Sequence, residues 1–412
     1  MTSAASRSRA ASSISLQSLV WLVTGLFFIW GGATSLNDVL IPKLKGLFSL
    51  SYAEVMLTQF AFFTAYFLVS IPAGTLAARV GYVRGLVVGL GIMALGALLF
   101  WPASSSGAYW PFLVALFVLA GGITILQVAA NPLITTLGSA EGASSRLTFA
   151  QAFNSLGTTI WPFIGAKLIL QSSQGPGRSG ETAVVGHIYL GIAIVLAVVA
   201  LIFWARRNQL PTETPPEVGF FDSLSLLREP RVLFGTIALF VYVGAEVSIG
   251  SVLVSYLEQP ATLALTAQSA GEHLSFYWGG AMVGRFIGAW LLRRFDPGSL
   301  LAVFALVAAC LVLVSMGTTG GISGWSLIAV GCFNSIMFPT IFSLSLEGQG
   351  TRTAEASGLL CMAIVGGALV PLATGALADS TSIASALALP IICYLVIAAF
   401  GRFARHSAGG AA

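Results

Sequence analysis

The chain has 412 residues, of which 57% are hydrophobic and only 8% charged, with a mean hydropathy of +0.91. A water-facing surface ordinarily needs about a quarter charged residues, so a soluble enzyme or binding domain is excluded and the chain reads as an all-α polytopic membrane protein. The net charge of +4 comes from single or paired basic residues at helix ends, with no sustained patch, and this excludes a nucleic-acid partner.

The Ser/Ala-rich start, Met1 to Ser15, carries Arg7 and Arg9 but no small-residue cleavage site after a short apolar region. It is expected to be a disordered tail, residues 1–17, and no signal peptide. Apolar runs of about 20 residues then predict twelve transmembrane helices at residues 18–44, 52–78, 82–102, 109–137, 145–171, 184–206, 230–257, 270–292, 298–317, 323–345, 353–378 and 383–404. In the first run Asp38 is the only charge between Trp21 and Pro42; in the seventh Glu246 is the only charge between Val232 and Leu257. An ionised side chain at mid-membrane costs about 2.5–3.5 kcal/mol on insertion scales, so such residues ordinarily face a wet cavity or a partner. The one long connection, residues 207–229, divides two six-helix bundles, 18–206 and 230–404, and 405–412 form a second tail.

With the N-terminus inside, most of the 19 Lys and Arg fall on the cytoplasmic side. Only Lys43, Lys45, Lys167 and Arg178 fall outside, and Arg285 lies within a helix. The positive-inside rule therefore puts both termini in the cytoplasm. Cys310, Cys332, Cys361 and Cys393 sit one in each of the last four predicted helices without CxxC spacing, as small apolar packing residues do. His187, His273 and His406 lie at helix ends or in the tail, which leaves no histidine proton relay. No metal or cofactor site is expected.

The two halves echo each other. NPLITTL (Asn131 to Leu137), a loop with Arg146 and WPFIGA (Trp161 to Ala166) answer FPTIFSL (Phe338 to Leu344), a loop with Arg352 and VPLATGALAD (Val370 to Asp379). GTLAAR, ending at Arg79, answers GAWLLR, ending at Arg293. Such pseudo-symmetry marks a secondary transporter with its site between the halves, near the membrane midplane.

PAGTLAARVGYVRG (Pro72 to Gly85) resembles the helix 2–3 loop signature of the major facilitator superfamily, except that Ala77 and Ala78 stand where its acidic residue belongs. The salt-bridge latch of that superfamily is therefore missing here or remade by other groups. SLNDVLIP (Ser35 to Pro42), AANPLITTLG (Ala129 to Gly138), FAQAFNSLG (Phe149 to Gly157), YVGAEVSIGS (Tyr242 to Ser251), GRFIGAW (Gly284 to Trp290) and FPTIFSLSL (Phe338 to Leu346) together resemble the fucose:proton symporter family. Within it they are most similar to the bacterial glucose/galactose transporter branch, in order from about residue 20 to 400. The resemblance implies the major facilitator fold and sugar transport. It also implies that Asp38 matches an essential acid of fucose permease and that Asn154 matches an amide near the sugar. Gln127 takes the place of a titratable Glu, and Glu246 the place of an amide, so an acid has in effect changed halves.

The chemistry of a pyranose suits the residues. Hydroxyls call for paired amides and carboxylates, and the C–H faces for an aromatic plate. Gln127 and Asn131 are spaced i, i+4, and Gln151 and Asn154 i, i+3, so each pair shares a helix face. Asn37 and Asn334 add amides, and Trp30, Tyr242 and Trp278 are the candidate plates. Plainer readings stand beside these: Gln127 and Asn154 as interhelical hydrogen bonds, Tyr242 and Trp278 as packing, Glu246 neutralised by Arg285, and Asn131 satisfying backbone freed by Pro132.

The expected function is import of a hexose, of the glucose or galactose kind, through the bacterial inner membrane. Protons would couple at Asp38 and Glu246, with Na⁺ coupling or uncoupled facilitation as alternatives. A monomer in the lipid bilayer is expected. The absence of HExxH, of GxSxG and of any nucleophile-activating cluster excludes an enzyme.

Overall fold

In the computed structural model, the described residues are 19–36, 40, 43–44, 47–50, 52–170, 178–207 and 220–409. Asn37 and Asp38 lie outside them. Among the described residues there are twelve long helices and no strand. They are α1 (Leu19–Leu36), α2 (Tyr52–Val80), α3 (Tyr82–Ser105), α4 (Trp110–Thr136), α5 (Ala143–Leu170) and α6 (Arg178–Arg206). After a short helix at Phe220–Ser225 come α7 (Pro230–Leu257), α8 (Ala267–Leu291) and α9 (Pro297–Gly317). The last three are interrupted or follow a short turn: α10 (Gly320–Asn334 and Met337–Leu346), α11 (Thr353–Met362 and Gly366–Ser380) and α12 (Ala388–Gly409).

Within the described residues, each expected apolar run thus coincides with a helix or a helix broken in two. Ten of the described spans are long and apolar enough to cross a membrane. Those of α5 and α8 fall short of that hydropathy, because α5 carries Arg146, Gln151, Asn154 and Lys167, and α8 carries Glu272, His273 and Arg285. Two of the least apolar helices are therefore two that bear candidate site residues.

By their contacts the described residues fall into two compact units. One holds Met1–Ser139, Phe153–Ser223 and Thr351–Cys361; the other holds Ala140–Ala152, Leu224–Gly350 and Met362–Ala412. Within the first, α3 packs on α4 and α6; within the second, α9 packs on α10 and α12. The same neighbours recur six helices later, as the sequence echoes predict.

Small residues set these contacts, since between apolar helices in lipid it is close packing and not expulsion from water that holds them together. Gly298 and Gly401 meet reciprocally: a Cβ on either would lie 2.6 Å from the carbonyl oxygen of the other. On α8, Gly280 closes on Cys332, and across from it a Cβ on Gly331 would collide with the Tyr277 carbonyl. In the first unit Phe100 of α3 stacks on Tyr189 of α6 at 3.8 Å.

The Gly74-to-Arg79 region shows how the missing acid is replaced. Ala77 and Ala78 form a buried apolar cluster with Ala354, covered by Tyr82. Gly74 and Gly358 let the two backbones approach closely beside it. Arg352, just before α11, and Glu355 in its first turn pair 3.0 Å apart.

Gly331→Val should lower the thermal unfolding midpoint of the purified protein in detergent, since overpacking of this kind costs about 1–3 kcal/mol. Gly279→Ala, at a position with nothing within 4 Å of the new methyl, should leave it at or slightly above that of the parent. Equal midpoints for the two variants would refute the packing role of Gly331.

Candidate functional site

In the first unit the polar cluster is built on α4. Gln127 and Asn131 are both buried, and the Tyr66 hydroxyl of α2 donates to Gln127 Oε1 at 3.0 Å. Asn131 is 0% exposed, yet neither its Oδ1 nor its Nδ2 has a hydrogen-bond partner among the described residues. A buried amide left unmatched costs about 1–3 kcal/mol.

The plainer role for Asn131 is already filled. Pro132 has no N–H, so the carbonyl it deprives is that of Val128, four residues back. The Ser357 hydroxyl of α11 donates to that carbonyl at 2.8 Å. The Asn131 amide is therefore not spent on the proline.

Asn154 takes an interhelical place: its Nδ2 donates to the Phe27 carbonyl of α1 at 3.1 Å. Its own backbone presses on Gly31, where any Cβ would collide with it. Trp30 is buried beside Phe27, ring centroids 5.0 Å apart. Gln151 is buried too, but it belongs to the segment of α5 that packs in the second unit. The i, i+3 pair of α5 is thus divided between units.

The second unit holds a tighter cluster around Glu246. Tyr242 and Glu246 share one face of α7, and the Tyr242 hydroxyl lies 2.8 Å from Glu246 Oε1 and 3.1 Å from the Asn334 carbonyl oxygen. The Asn334 side chain is clamped on both sides: Tyr394 of α12 donates to its Oδ1 at 2.8 Å, and its Nδ2 donates to the Tyr277 hydroxyl of α8 at 2.7 Å. Tyr277 in turn donates to the main-chain oxygen of Glu246 at 3.1 Å. Tyr242 is 1% exposed, so its hydroxyl is turned into the protein and its ring is no open plate. Trp278 is 43% exposed and lies edge-on to Tyr277 and over Gly250.

Arg285 completes this cluster. Its Nε donates at 3.3 Å to the Ser335 carbonyl, which Pro339 leaves without a helical donor. Pro132 and Pro339 occupy matching places in the repeated motifs, and in each half a side chain from a neighbouring helix supplies the missing donor. The guanidinium also acts electrostatically on the Glu246 carboxyl.

A model of the Major Facilitator Superfamily matches residues 22–364. The chain belongs to that superfamily. It is 52% identical over 379 residues to a glucose/galactose transporter of Brucella abortus, covering 92% of each chain. It is 36% identical over 410 residues to the L-fucose-proton symporter of Escherichia coli, covering 94% of this chain and 93% of the symporter. A crystal structure of the major facilitator transporter FucP in the outward conformation superposes with a TM-score of 0.85 at 34% identity, over 93% of this chain and 98% of that one. This major facilitator protein is a membrane transporter and not an enzyme.

Sequence reasoning missed Tyr66, Tyr277, Tyr394 and Ser357. The signal available was a phenol or hydroxyl within an apolar run, which requires a partner when buried, but the sequence does not say which amide or carbonyl it meets.

The proline reading has a direct test. Ser357→Ala should lower the thermal midpoint by the equivalent of about 1–3 kcal/mol, the cost of stranding a buried carbonyl. In a Pro132→Ala background, where the helix supplies its own N–H, the same substitution should cost much less. Equal costs in both backgrounds would show that Ser357 does not serve that carbonyl.

Proposed function

We propose that this major facilitator protein imports a hexose of the glucose/galactose kind by proton symport. Bundles 18–206 and 230–404 would open alternately to either side of the bacterial inner membrane, with both termini in the cytoplasm. The observation that carries the coupling is a single acid, Glu246, in a helix whose other charge is Arg231 in its first turn; the acid is bonded to a neutral phenol and only partly buried. An acid so held can lose and regain a proton as its surroundings change between states. A difference in proton affinity between two conformations is what links a gradient to a movement. Asp38 is the matching acid of the first half.

Sodium coupling would need oxygen ligands without a competing cation. The carbonyls at the break in α10 resemble, in chemistry, those that hold Na⁺ in discontinuous transporter helices. Here Arg285 already donates to one and Tyr242 lies on the other. A fixed guanidinium beside the carboxylate favours a proton over a metal ion as the charge that comes and goes.

For the sugar, the unmatched Asn131 amide is the strongest candidate. It offers one acceptor and two donors on the face of α4 that also carries Gln127. Both relatives named above are called sugar transporters, which supports the reading.

Two measurements decide it. Addition of glucose or galactose to lightly buffered, Na⁺-free proteoliposomes should raise the external pH, and Glu246→Gln should abolish both that rise and accumulation driven by a pH gradient. Uptake that needs Na⁺ and leaves pH unchanged would transfer the coupling to sodium. Asn131→Ala should weaken apparent sugar affinity by about 0.5–1.5 kcal/mol, roughly two- to tenfold. An unaltered affinity would remove Asn131 from the sugar site.

A further inference from the structure

We propose that the Tyr242 hydroxyl is a two-position switch that reads the protonation state of Glu246 and passes it to the break in α10. The proposal rests on the proton-coupled reading above and gives the acid a means of acting on the helix beside it.

A phenol has one proton, and that of Tyr242 has two acceptors within reach: Glu246 Oε1 at 2.8 Å and the Asn334 carbonyl oxygen at 3.1 Å. The neighbouring phenols have no such choice. Tyr394 is committed to Asn334 Oδ1, and Tyr277 donates to the Glu246 main chain while accepting from Asn334 Nδ2. Asn334 is clamped and fully buried, and the main chain of Glu246 is held by Tyr277, so the two acceptors stand on residues tied into one network. In this network Tyr242 alone has a proton with two destinations.

Which acceptor wins depends on charge. An ionised carboxylate takes a hydrogen bond roughly twice as strong as a neutral acceptor does, so with Glu246 charged Tyr242 donates to Oε1. Protonation removes that advantage. The Asn334 carbonyl then becomes the better acceptor, because it ends the helix Gly320–Asn334, where the peptide dipoles gather negative charge. The phenol turns to it and ties α7 to α10. No covalent bond of Tyr242 changes: its proton stays on its own oxygen, and the proton on Glu246 comes from solution and returns there.

The tie falls at a joint. Gly320–Asn334 and Met337–Leu346 are separate helical pieces, and the Ser335 carbonyl between them is held by Arg285. With Glu246 charged, the joint has the Arg285 bond; with Glu246 neutral, it has that bond and the Tyr242 bond. The charged and titratable groups facing Glu246 are Tyr242 on its own helix, Tyr277 and Arg285 on α8, and Tyr394 on α12. From α10 the facing group is the uncharged Asn334. From α11 the contacts to α7 include Gly366 on Phe240, Val370 on Gly244 and Thr374 on Ser248, none of which titrates in this range.

The test uses the full-length protein in Na⁺-free proteoliposomes. Tyr242→Phe keeps the ring and removes the switch. It should reduce sugar accumulation driven by a pH gradient about fivefold or more, the worth of one hydrogen bond of about 1 kcal/mol, and flatten the pH dependence of apparent sugar affinity. Sugar exchange at saturation should fall much less. In a Glu246→Gln background Tyr242→Phe should add nothing to the coupling defect. Tyr394→Phe, which only loosens the clamp, should lower exchange and accumulation together and keep the pH dependence.

Wild-type pH dependence retained in Tyr242→Phe, or defects that add in the double variant, would overturn the switch while leaving proton symport intact. A wild type that moves no protons with sugar would remove the symport reading, and the switch with it. Should Tyr242→Phe not fold, infrared difference spectra of the wild type with isotope-labelled tyrosine decide the matter. A tyrosine C–O band that shifts with pH and is silent in Glu246→Gln supports the switch; a band that does not shift in the wild type refutes it.

Discussion

A chain that spans a bilayer must satisfy its polar groups from within, because no water is at hand to take a stray N–H or carbonyl. Most of what distinguishes this molecule follows from that constraint. Prolines 132 and 339 each leave a carbonyl without its helical donor, and each is answered by a side chain from another helix, a serine in one unit and an arginine in the other. The answers differ in charge, and so the two halves cease to be equivalent. The serine is a neutral repair, whereas the arginine brings a permanent cation to within electrostatic reach of Glu246.

Glu246 can therefore be tolerated where it stands. Its carboxyl has a phenol on one oxygen, and the carbonyl of the same residue is held by a second phenol whose own partner is an amide clamped by a third. Such chains of hydrogen bonds stiffen a polar cluster when every member is satisfied. The first unit is built differently, with a tyrosine on Gln127 and an asparagine whose amide is left open. One unit thus has an acid within a hydrogen-bonded network, and the other a buried amide without a partner among the described residues.

The helices were legible from the sequence because twelve apolar runs of spanning length leave little choice, and short connections pair neighbours. The echo of Asn131 to Leu137 in Phe338 to Leu344 likewise foretold the matching prolines. Less was legible at the site. Spacing placed Gln127 with Asn131 on one face of α4, and Tyr242 with Glu246 on one face of α7, since a helix enforces that regardless of its surroundings. It could not place Tyr277 or Tyr394 on Asn334, because those contacts join helices far apart in the chain. Nor could it show that Gln151 and Asn154, three residues apart, pack in different units. Trp278 illustrates the same limit: an aromatic one position from a network residue points elsewhere, since adjacent helical residues are about 100° apart around the axis.

The cluster of Ala77, Ala78 and Ala354 carries one more consequence. A latch made from an acid and a base would loosen as salt is added or as the acid takes up a proton. Methyl groups in contact feel neither ionic strength nor acidity. Helices that meet there through methyls are thus held by a contact that a change of salt or pH in the surrounding medium does not weaken.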